Sequence, residues 1–423
     1  MRAWLSAIPD RRDPALCYYG NVALLWTAIL MFMGRLKARR QIKYRLNTPA
    51  VVSRLEAFCG QPLAAMPHGD TVENYLSGVD PSSLERLNQE MVRSLLEARR
   101  LESFRFLGLY YLVVVDMSGH LYLGTEPSEF TKGCLTQQTP DGRTLYYRPV
   151  CEGKLVTRTG LALSMGSEFV ENPQGWVAGQ SPQDCELSAA QRLFPRLKAA
   201  FPGFAFCALL DSRYCNETGF RMCEENHWPY VITFKEGSLP SVWEEFQTLQ
   251  ALTPENRLTV RTDEGRLDYT WLNGIPYGQR TLNVLCCVWT KPTGQQTTFA
   301  WVTDIPITAK NCHPMAEEGG RQRWKIENEG FRTQKHAGFA MEHAYAKRPI
   351  SAKNFYFLLQ VAYLLAQMFE CYCRGKGEVK RAFGSLQNLA ADLLESLRRD
   401  PIPAEEVLLA FLEERIQIRL NTS

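Results

Sequence analysis

The sequence contains no apolar run long enough to cross a membrane. Its two most apolar stretches are Val22–Met33, which falls short of the roughly twenty residues that a bilayer requires, and Asn354–Cys373, which polar residues interrupt. Both are typical of buried helices. The first residues, MRAWLSAIPDRRDP, reach Asp and Pro before any apolar segment develops, so a signal-peptide pattern is missing. We therefore expect a cytoplasmic protein without membrane contact.

Three further absences exclude common types of binding and catalytic site. Neither sign of charge dominates, because 48 Lys and Arg residues and 45 Asp and Glu residues give a formal net charge of +3. Any surface that binds a polyanion must therefore arise from local clusters of cations. The 13 cysteines form no pair of CxxC motifs, which argues against structural zinc and favours reduced thiols. A Walker loop, an HExxH motif and a GxGxxG motif are also missing, and with them the commonest nucleotide, zinc-protease and dinucleotide sites.

The length of 423 residues predicts several domains, of which the first is helical. Apolar periodicity predicts helices over 21–33, from Thr48 onwards and over 82–100. The densest basic run, 35–45, lies between the first two and carries six cations, Arg39 and Arg40 among them, and no acid. This density suits contact with a phosphate backbone, although a solvated helix end explains it equally well.

Two apolar, β-rich runs each lead into an aspartate. Leu107–Val115 predicts a central strand that ends at Asp116, and Phe204–Leu210 predicts a second buried strand that ends at Asp211. A carboxylate at the end of a strand commonly caps the following helix. Two such carboxylates at the ends of neighbouring strands would lie close together.

The surrounding segments predict how these strands are joined. Residues 143–150 and 155–164 predict a hairpin that turns at 151–153 beside the first strand, and 184–200 predicts a helix before the second. The resulting order resembles βαβα, which predicts a mixed sheet with helices packed against it. Residues 236–298 interrupt the order with alternating segments typical of an inserted, mainly β subdomain.

A third acid stands in the cation-rich segment GRQRWKIENEGFRTQK, which begins at Gly320. Helical spacing places Arg323 one turn before Glu327 on the same face. A salt-bridged surface helix and a site for an anionic, metal-bound ligand both explain this pattern. Glu329 is a rival third acid, but Arg323 fits only the spacing of Glu327.

Asp116, Asp211 and Glu327 together favour one chemistry. If the two strands are neighbours and the helix packs on their sheet, the three carboxylates converge, and hard oxygen ligands of this kind suit Mg²⁺ or Mn²⁺. Two such ions can activate a water or a 3′-hydroxyl and stabilise the leaving oxygen of a phosphoryl transfer. Taken singly, each acid has the simpler explanation of a cap or an i,i+4 ion pair.

These three segments resemble the DDE transposases of bacterial insertion sequences, as do LLDSRYCNETGF at the second acid and HAYAKRPISAKNFYFLLQVAYLLAQ after the third. The similarity covers about residues 107–367 and is to the cut-and-paste type, which has an RNase H-like catalytic domain with a β insertion before the last acid. It implies that Asp116, Asp211 and Glu327 are the catalytic, metal-binding triad for two Mg²⁺ (or Mn²⁺) ions. It also implies that Arg323 contacts phosphate of double-stranded DNA and that a homodimer forms the synaptic complex.

The third-acid motif of this chain departs from the family at two positions. The family has Tyr three residues before the Arg and Lys seven after the Glu, where this chain has Gly320 and Gln334. Lys335 follows one residue late, and in an α-helix it would be turned roughly 80° from the face of Glu327. Lys335 and Arg332 are still candidates for DNA contact.

Aromatic residues of the insertion are a further expectation from the family. There, an aromatic residue can stack on a base flipped out of the element end, and Trp271 and Trp289 are the candidates here. A place in the β core is the alternative for each.

The predicted fold is α/β, an RNase H-like mixed sheet flanked by helices, with a mainly β insertion and helical N- and C-terminal regions. The predicted function is transposition at the bacterial nucleoid, with a metal-dependent nuclease and a non-catalytic DNA-binding descendant as alternatives. The predicted regions are the DNA-binding helices (1–102), the catalytic core in two parts (103–235 and 299–345), the insertion (236–298) and the C-terminal helices (346–423).

Overall fold

A computed structural model describes residues 1–177, 179, 181–374 and 381–399 of the chain. The architecture is α/β, as predicted, and is built on one mixed, largely antiparallel ten-stranded sheet. The strands are β1 (Tyr111–Gly124), β2 (Leu135–Gln138), β3 (Thr144–Val156), β4 (Ala162–Phe169), β5 (Phe206–Leu210), β6 (Tyr230–Thr233), β7 (Arg257–Thr262), β8 (Gly265–Tyr277), β9 (Arg280–Thr290) and β10 (Gln296–Thr303). Their order is β2-β3-β1-β5-β6-β10-β9-β8-β7, with β4 paired to β3.

Helices precede, interrupt and follow the sheet. They are α1 (Arg2–Ser6), α2 (Asn21–Met33), α3 (Pro49–Cys59), α4 (Gly69–Leu76), α5 (Pro81–Glu97), α6 (Glu186–Ala200), α7 (Glu217–Glu225), α8 (Pro240–Leu249), α9 (Cys312–Pro314), α10 (Thr333–His336), α11 (Pro349–Met368) and α12 (Leu386–Arg398). Local chemistry fixes several of their starts: Pro81 occupies the first turn of α5, and the Asp80 carboxylate caps it by accepting from Ser82 N–H.

The two most apolar helices, α2 and α11, pack against each other in the interior, which confirms the prediction that both stretches are buried helices. α11 also contacts α5 and so joins the N-terminal helices to the rest of the fold. Among the helices of the described residues, none combines the length and the apolar character needed to cross a membrane. The predicted C-terminal helical pattern falls partly on residues 400–423, which lie outside the described residues.

Two predicted strand ends are wrong. β1 does not stop at Asp116 but continues to Gly124, because β3 pairs with it throughout and places Glu152 opposite Asp116. β3 likewise runs unbroken through 151–153, and the hairpin to β4 turns at 157–161 instead. Each strand has neighbours that pair with its backbone groups, and this pairing outweighs the local turn signals that the sequence carries.

Helices cover both faces of the central strands, as two adjacent residues of β3 demonstrate. A side chain at Gly153 would collide with Leu197 of α6, since its Cβ would lie 2.6 Å from the leucine Cδ1. The next residue, Lys154, points to the opposite face and contacts Gly330 in the segment after β10. The absence of a side chain at Gly153 therefore lets α6 approach the sheet closely.

The segment between β6 and β10 is mainly β. After α8, strands β7, β8 and β9 form an antiparallel meander, and β9 pairs with β10 from Asn283 to Thr290. β10 in turn pairs with β6. The inserted strands therefore extend the central sheet instead of forming a second layer.

Candidate active site

The two aspartates meet where β5 ends and β1 continues. β1 pairs in parallel with β5 only from Tyr111 to Val114, so Asp116 lies just past the end of its neighbour. Asp211 directly follows β5, and its Oδ1 accepts a hydrogen bond from the backbone N–H of Arg213 at 2.8 Å. The helix cap that could explain a lone strand-end aspartate is thus present at Asp211, and it caps a single 3-10 turn.

The third acid lies on an irregular helix, the third-acid segment, which we define as residues 320–336. Within it Ile326–Arg332 is a π-helix that continues into α10. The Arg323 guanidinium joins two of the acids, with Nη1 3.2 Å from Asp116 Oδ2 and Nη2 2.5 Å from Glu327 Oε1. The predicted proximity of Arg323 and Glu327 is confirmed, and the contact with Asp116 ties this segment to β1.

One cleft of about 400 Å³ brings the three predicted acids together. Glu327, and not its rival Glu329, is among the lining residues. The cleft is lined by Asp116, Met117, Ser118, Glu186, Asp211, Arg213, Glu327, Phe331, Arg332, Lys335 and His336. Two of the predicted DNA-contacting cations, Arg332 and Lys335, therefore share the cleft with the acids.

Lys335 lines this cleft together with Glu327, although an α-helix would turn the two side chains apart. The π-helix explains the difference, because its i→i+5 hydrogen bonds close over one more residue than those of an α-helix. A lysine that comes one residue late in the sequence is thereby returned to the side of Glu327. Gln334, at the position of the family's lysine, is instead fully buried and donates to Gln360 Oε1 at 2.6 Å.

Gly320, the other departure from the family motif, packs against a tryptophan. A Cβ at Gly320 would lie 2.2 Å from Nε1 of Trp301, which is on β10 and only 3% exposed. An aromatic side chain from β10 therefore occupies the space that a side chain at position 320 would need.

A fourth acid, Glu186, lines the cleft and was not predicted. It is the first residue of α6 and is 8% exposed. Its carboxylate accepts hydrogen bonds from the Tyr214 hydroxyl at 3.0 Å and from Arg213 Nη1 at 3.1 Å. In the sequence it is an ordinary acid in the first turn of a helix, and only the packing of α6 beside the turn after Asp211 reveals its place.

Asp116 is largely buried and lies close enough to a second acid, Glu186, to be affected by its charge. The pKa of Asp116 is raised to about 7: burial is the largest cause, the Glu186 carboxylate acts in the same direction, and the Arg323 guanidinium opposes both. Asp116 is therefore partly protonated near neutral pH. A cation bound beside it would favour the charged carboxylate.

This donor set suits a hard divalent cation in its chemistry. Carboxylate oxygens are the ligands that Mg²⁺ and Mn²⁺ prefer, and Asp116, Asp211 and Glu327 all line this cleft. Over the described part of the chain, however, no three His, Cys, Asp or Glu side chains are grouped so that they could hold one ion as they stand. Arg323 lies between Asp116 and Glu327, so these residues could share an ion only after Arg323 turns away.

The two candidate tryptophans differ in their surroundings. Trp271 on β8 is 3% exposed and belongs to the core, so stacking on a base would require it to leave its position. Trp289 on β9 is half-buried, and its indole N–H donates to Glu264 O at 3.2 Å. The Arg321 guanidinium lies 5.2 Å from the centre of the Trp289 ring, which places this tryptophan beside the third-acid segment.

The basic run 35–45 is divided between internal and exposed cations. Arg39 pairs with Glu73 at 2.5 Å, and Arg35 lies 3.3 Å from the centre of the Phe339 ring. The cations of the run that are exposed are Lys37, Arg40, Lys43 and Arg45. Arg40 is therefore on the surface, as a DNA contact requires, whereas Arg39 is engaged with α4.

Three segments far apart in the chain supply the predicted acids of the cleft: β1, the turn after β5 and the third-acid segment. The first and second contribute one aspartate each, and the third contributes Glu327 and the cations Arg332 and Lys335. Comparison of the chain with models of protein families finds no match, and neither does comparison with curated proteins.

Proposed function

We propose that this protein is a DNA transposase that cuts the ends of an insertion sequence and joins the freed 3′-hydroxyl to target DNA. The observation that carries the proposal is the cleft, in which three segments contribute Asp116, Asp211 and Glu327. We further propose that the fold is RNase H-like. A mixed sheet with helices on both faces, and a β segment that precedes the third acid, support this assignment.

The catalytic roles that we propose follow from position and charge. Asp116 and Asp211 would hold the metal ions, and Glu327 would complete the second site. Two bound Mg²⁺ or Mn²⁺ ions would supply an activated water or 3′-hydroxyl and stabilise the leaving oxygen. Asp116 would release its proton to solvent when a cation binds beside it, because positive charge lowers a carboxyl pKa. Arg323, released from its two carboxylates, is then placed to contact a DNA phosphate.

Cations on the walls of the cleft support a DNA backbone as the ligand. Arg332 is exposed, Lys335 is partly exposed, and both line the cleft together with the acids. Contacts of this kind bind DNA through phosphate and release counterions.

Because two element ends must be joined in one event, we propose that a homodimer carries out the reaction at the nucleoid. Sedimentation of the DNA complex should then give two protein copies per pair of ends.

Strand cleavage by single variants tests the proposal. The substrate is a plasmid that carries the DNA from both sides of this coding region, incubated with Mg²⁺ or Mn²⁺. Asp116→Asn, Asp211→Asn and Glu327→Gln should each abolish cleavage and leave DNA binding, measured by gel shift, largely intact. Glu329→Gln is the matched control, because Glu329 is on the same segment but is not among the cleft-lining residues. Full cleavage by the three variants would refute the mechanism.

Two alternative functions are separated from transposition by further assays. A metal-dependent nuclease would use the same cleft, and an assay for joined product with pre-cut ends separates it from a transposase. A non-catalytic DNA-binding protein is favoured by the ion pairs of Arg323, which hold Asp116 and Glu327 in an arrangement that a metal site must break. Such a protein would bind the plasmid DNA and leave it uncut at every metal concentration.

A further inference from the structure

A fully buried ion pair lies beside the cleft on the central sheet. Glu152 and Lys154 of β3 are both 0% exposed, and Lys154 Nζ is 3.3 Å from Glu152 Oε1. Glu152 is the cross-strand partner of Asp116, so the two side chains share one face of the sheet. Charged residues are seldom buried completely, and replacing a buried pair by neutral groups often leaves stability unchanged or improved. The pair therefore calls for an explanation other than stability.

The two partners of the pair face different neighbours. Besides Lys154, Glu152 accepts hydrogen bonds from Ser167 Oγ at 3.1 Å and from the hydroxyls of Ser164 and Tyr356. These groups belong to β4 and α11. The environment of Glu152 is thus complete without any contribution from the third-acid segment.

Lys154, in contrast, is connected to the third-acid segment by a hydrogen-bonded path. Its Nζ donates to Gln360 Oε1 at 3.1 Å, and the same oxygen accepts from Gln334 Nε2 at 2.6 Å. Gln334 directly precedes Lys335, which faces the cleft. The amide of Gln360 therefore holds a residue of β3 and a residue of the third-acid segment together.

Lys154 also makes direct contact with the π-helix. A Cβ at Gly330 would lie 3.1 Å from both Cδ and Cε of Lys154, so the lysine stem packs against the backbone of this segment. Lys154 Nζ lies 5.9 Å from the centre of the Phe331 ring, and Phe331 lines the cleft. The contacts at Gly330 and Gln334 fall within the stretch of helix that carries Glu327 and Lys335.

We propose that Lys154 is a positioning residue, which through Gly330, Gln360 and Gln334 fixes the rotation of the third-acid segment on the sheet. It thereby sets how far Glu327 and Lys335 stand from Asp116. The catalytic part of this inference rests on the proposed function, whereas the structural part does not. Glu152 keeps the ammonium group in place from the opposite side.

A charge-neutral double variant, Glu152→Gln/Lys154→Met, separates positioning from charge balance. It removes both charges together, so neither is left buried and unpaired, and the melting temperature should stay near that of the wild type. Hydrogen exchange of the amides of residues 326–336 should nevertheless accelerate about tenfold, because residue 154 no longer donates to Gln360. With active protein, kcat for DNA cleavage should fall while KM for DNA is unchanged.

Matched variants on the same path complete the test. Gln334→Leu removes only the polar link to Gln360 and should accelerate exchange over the same amides by a smaller factor. Asn354→Leu is the control, because Asn354 is also buried on α11 but donates to Leu76 O and Val79 O, near α4. It should leave exchange of residues 326–336 unchanged.

Wild-type exchange of residues 326–336 in the double variant would overturn the proposal, as would equal acceleration by Asn354→Leu. If wild-type protein does not cut DNA but the double variant accelerates exchange in this segment alone, the positioning role stands and the proposed function fails. The two inferences are thereby tested separately.

Discussion

Asp116→Asn should stabilise the metal-free protein at alkaline pH. The folded protein holds the pKa of Asp116 at about 7, against an ordinary value of 3.8. Between these values the folded chain binds a proton that the unfolded chain releases, so stability falls as the pH rises through this window. Above about pH 7 the free energy of unfolding is lowered by the full amount, about 4 kcal/mol. Each unit of difference between the two pKa values corresponds to about 1.36 kcal/mol.

Urea unfolding of wild type and variant, followed by tryptophan fluorescence across this pH range, measures the effect. The variant should be the more stable protein near pH 8, and its advantage should shrink as the pH approaches 4. Adding Mg²⁺ near pH 8 should stabilise the wild type and not the variant. Asp80→Asn is the control, and it should lower the stability at neutral pH where Asp116→Asn raises it. The reason is that hydrogen bonds from Ser82 lower the pKa of Asp80. An advantage of Asp116→Asn that does not change with pH would refute the reasoning.

Three further predictions concern the third-acid segment. Gly320→Ala should lower the melting temperature, at a cost of roughly 1–3 kcal/mol, because its Cβ would collide with Trp301; an unchanged melting temperature would contradict this packing. Arg323→Gln should raise the affinity for Mn²⁺ in calorimetric titration, since it removes the cation between Asp116 and Glu327, and should reduce DNA cleavage; weaker Mn²⁺ binding would contradict the competition. Lys335→Ala should weaken DNA binding and reduce the salt dependence by about one phosphate contact, measured by fluorescence anisotropy at several salt concentrations.

Regular elements were predictable because their apolar patterns are long and periodic. The helix over 21–33 and the buried strand before Asp211 appear where the sequence places them, as α2 and β5. The end of β1 was not predictable, because the residues after Asp116 carry turn signals that only pairing with β3 overrides. Local sequence contains no information about a partner strand thirty or more positions away.

The composition of the cleft was partly predictable. Helical spacing gave the Arg323–Glu327 contact, but the bridge from Arg323 to Asp116 depends on how the segment is seated against β1. The π-helix that turns Lys335 towards the cleft has no signature in the residue pattern, and α-helical geometry alone gives the wrong face. Glu186 was missed because its role comes from the packing of α6 and from no motif of its own.

The continuous pairing from β5 to β7 sets the distance between these two strands. Five strand-to-strand steps separate these two strands, which at the usual spacing is roughly 24 Å. Because β10 is hydrogen-bonded to both β6 and β9, continuous backbone pairing joins the meander to the central strands. If the protein cuts DNA as proposed, a DNA contact made by the outer strands would lie at a set distance from the cleft, and that distance would determine where the cut falls.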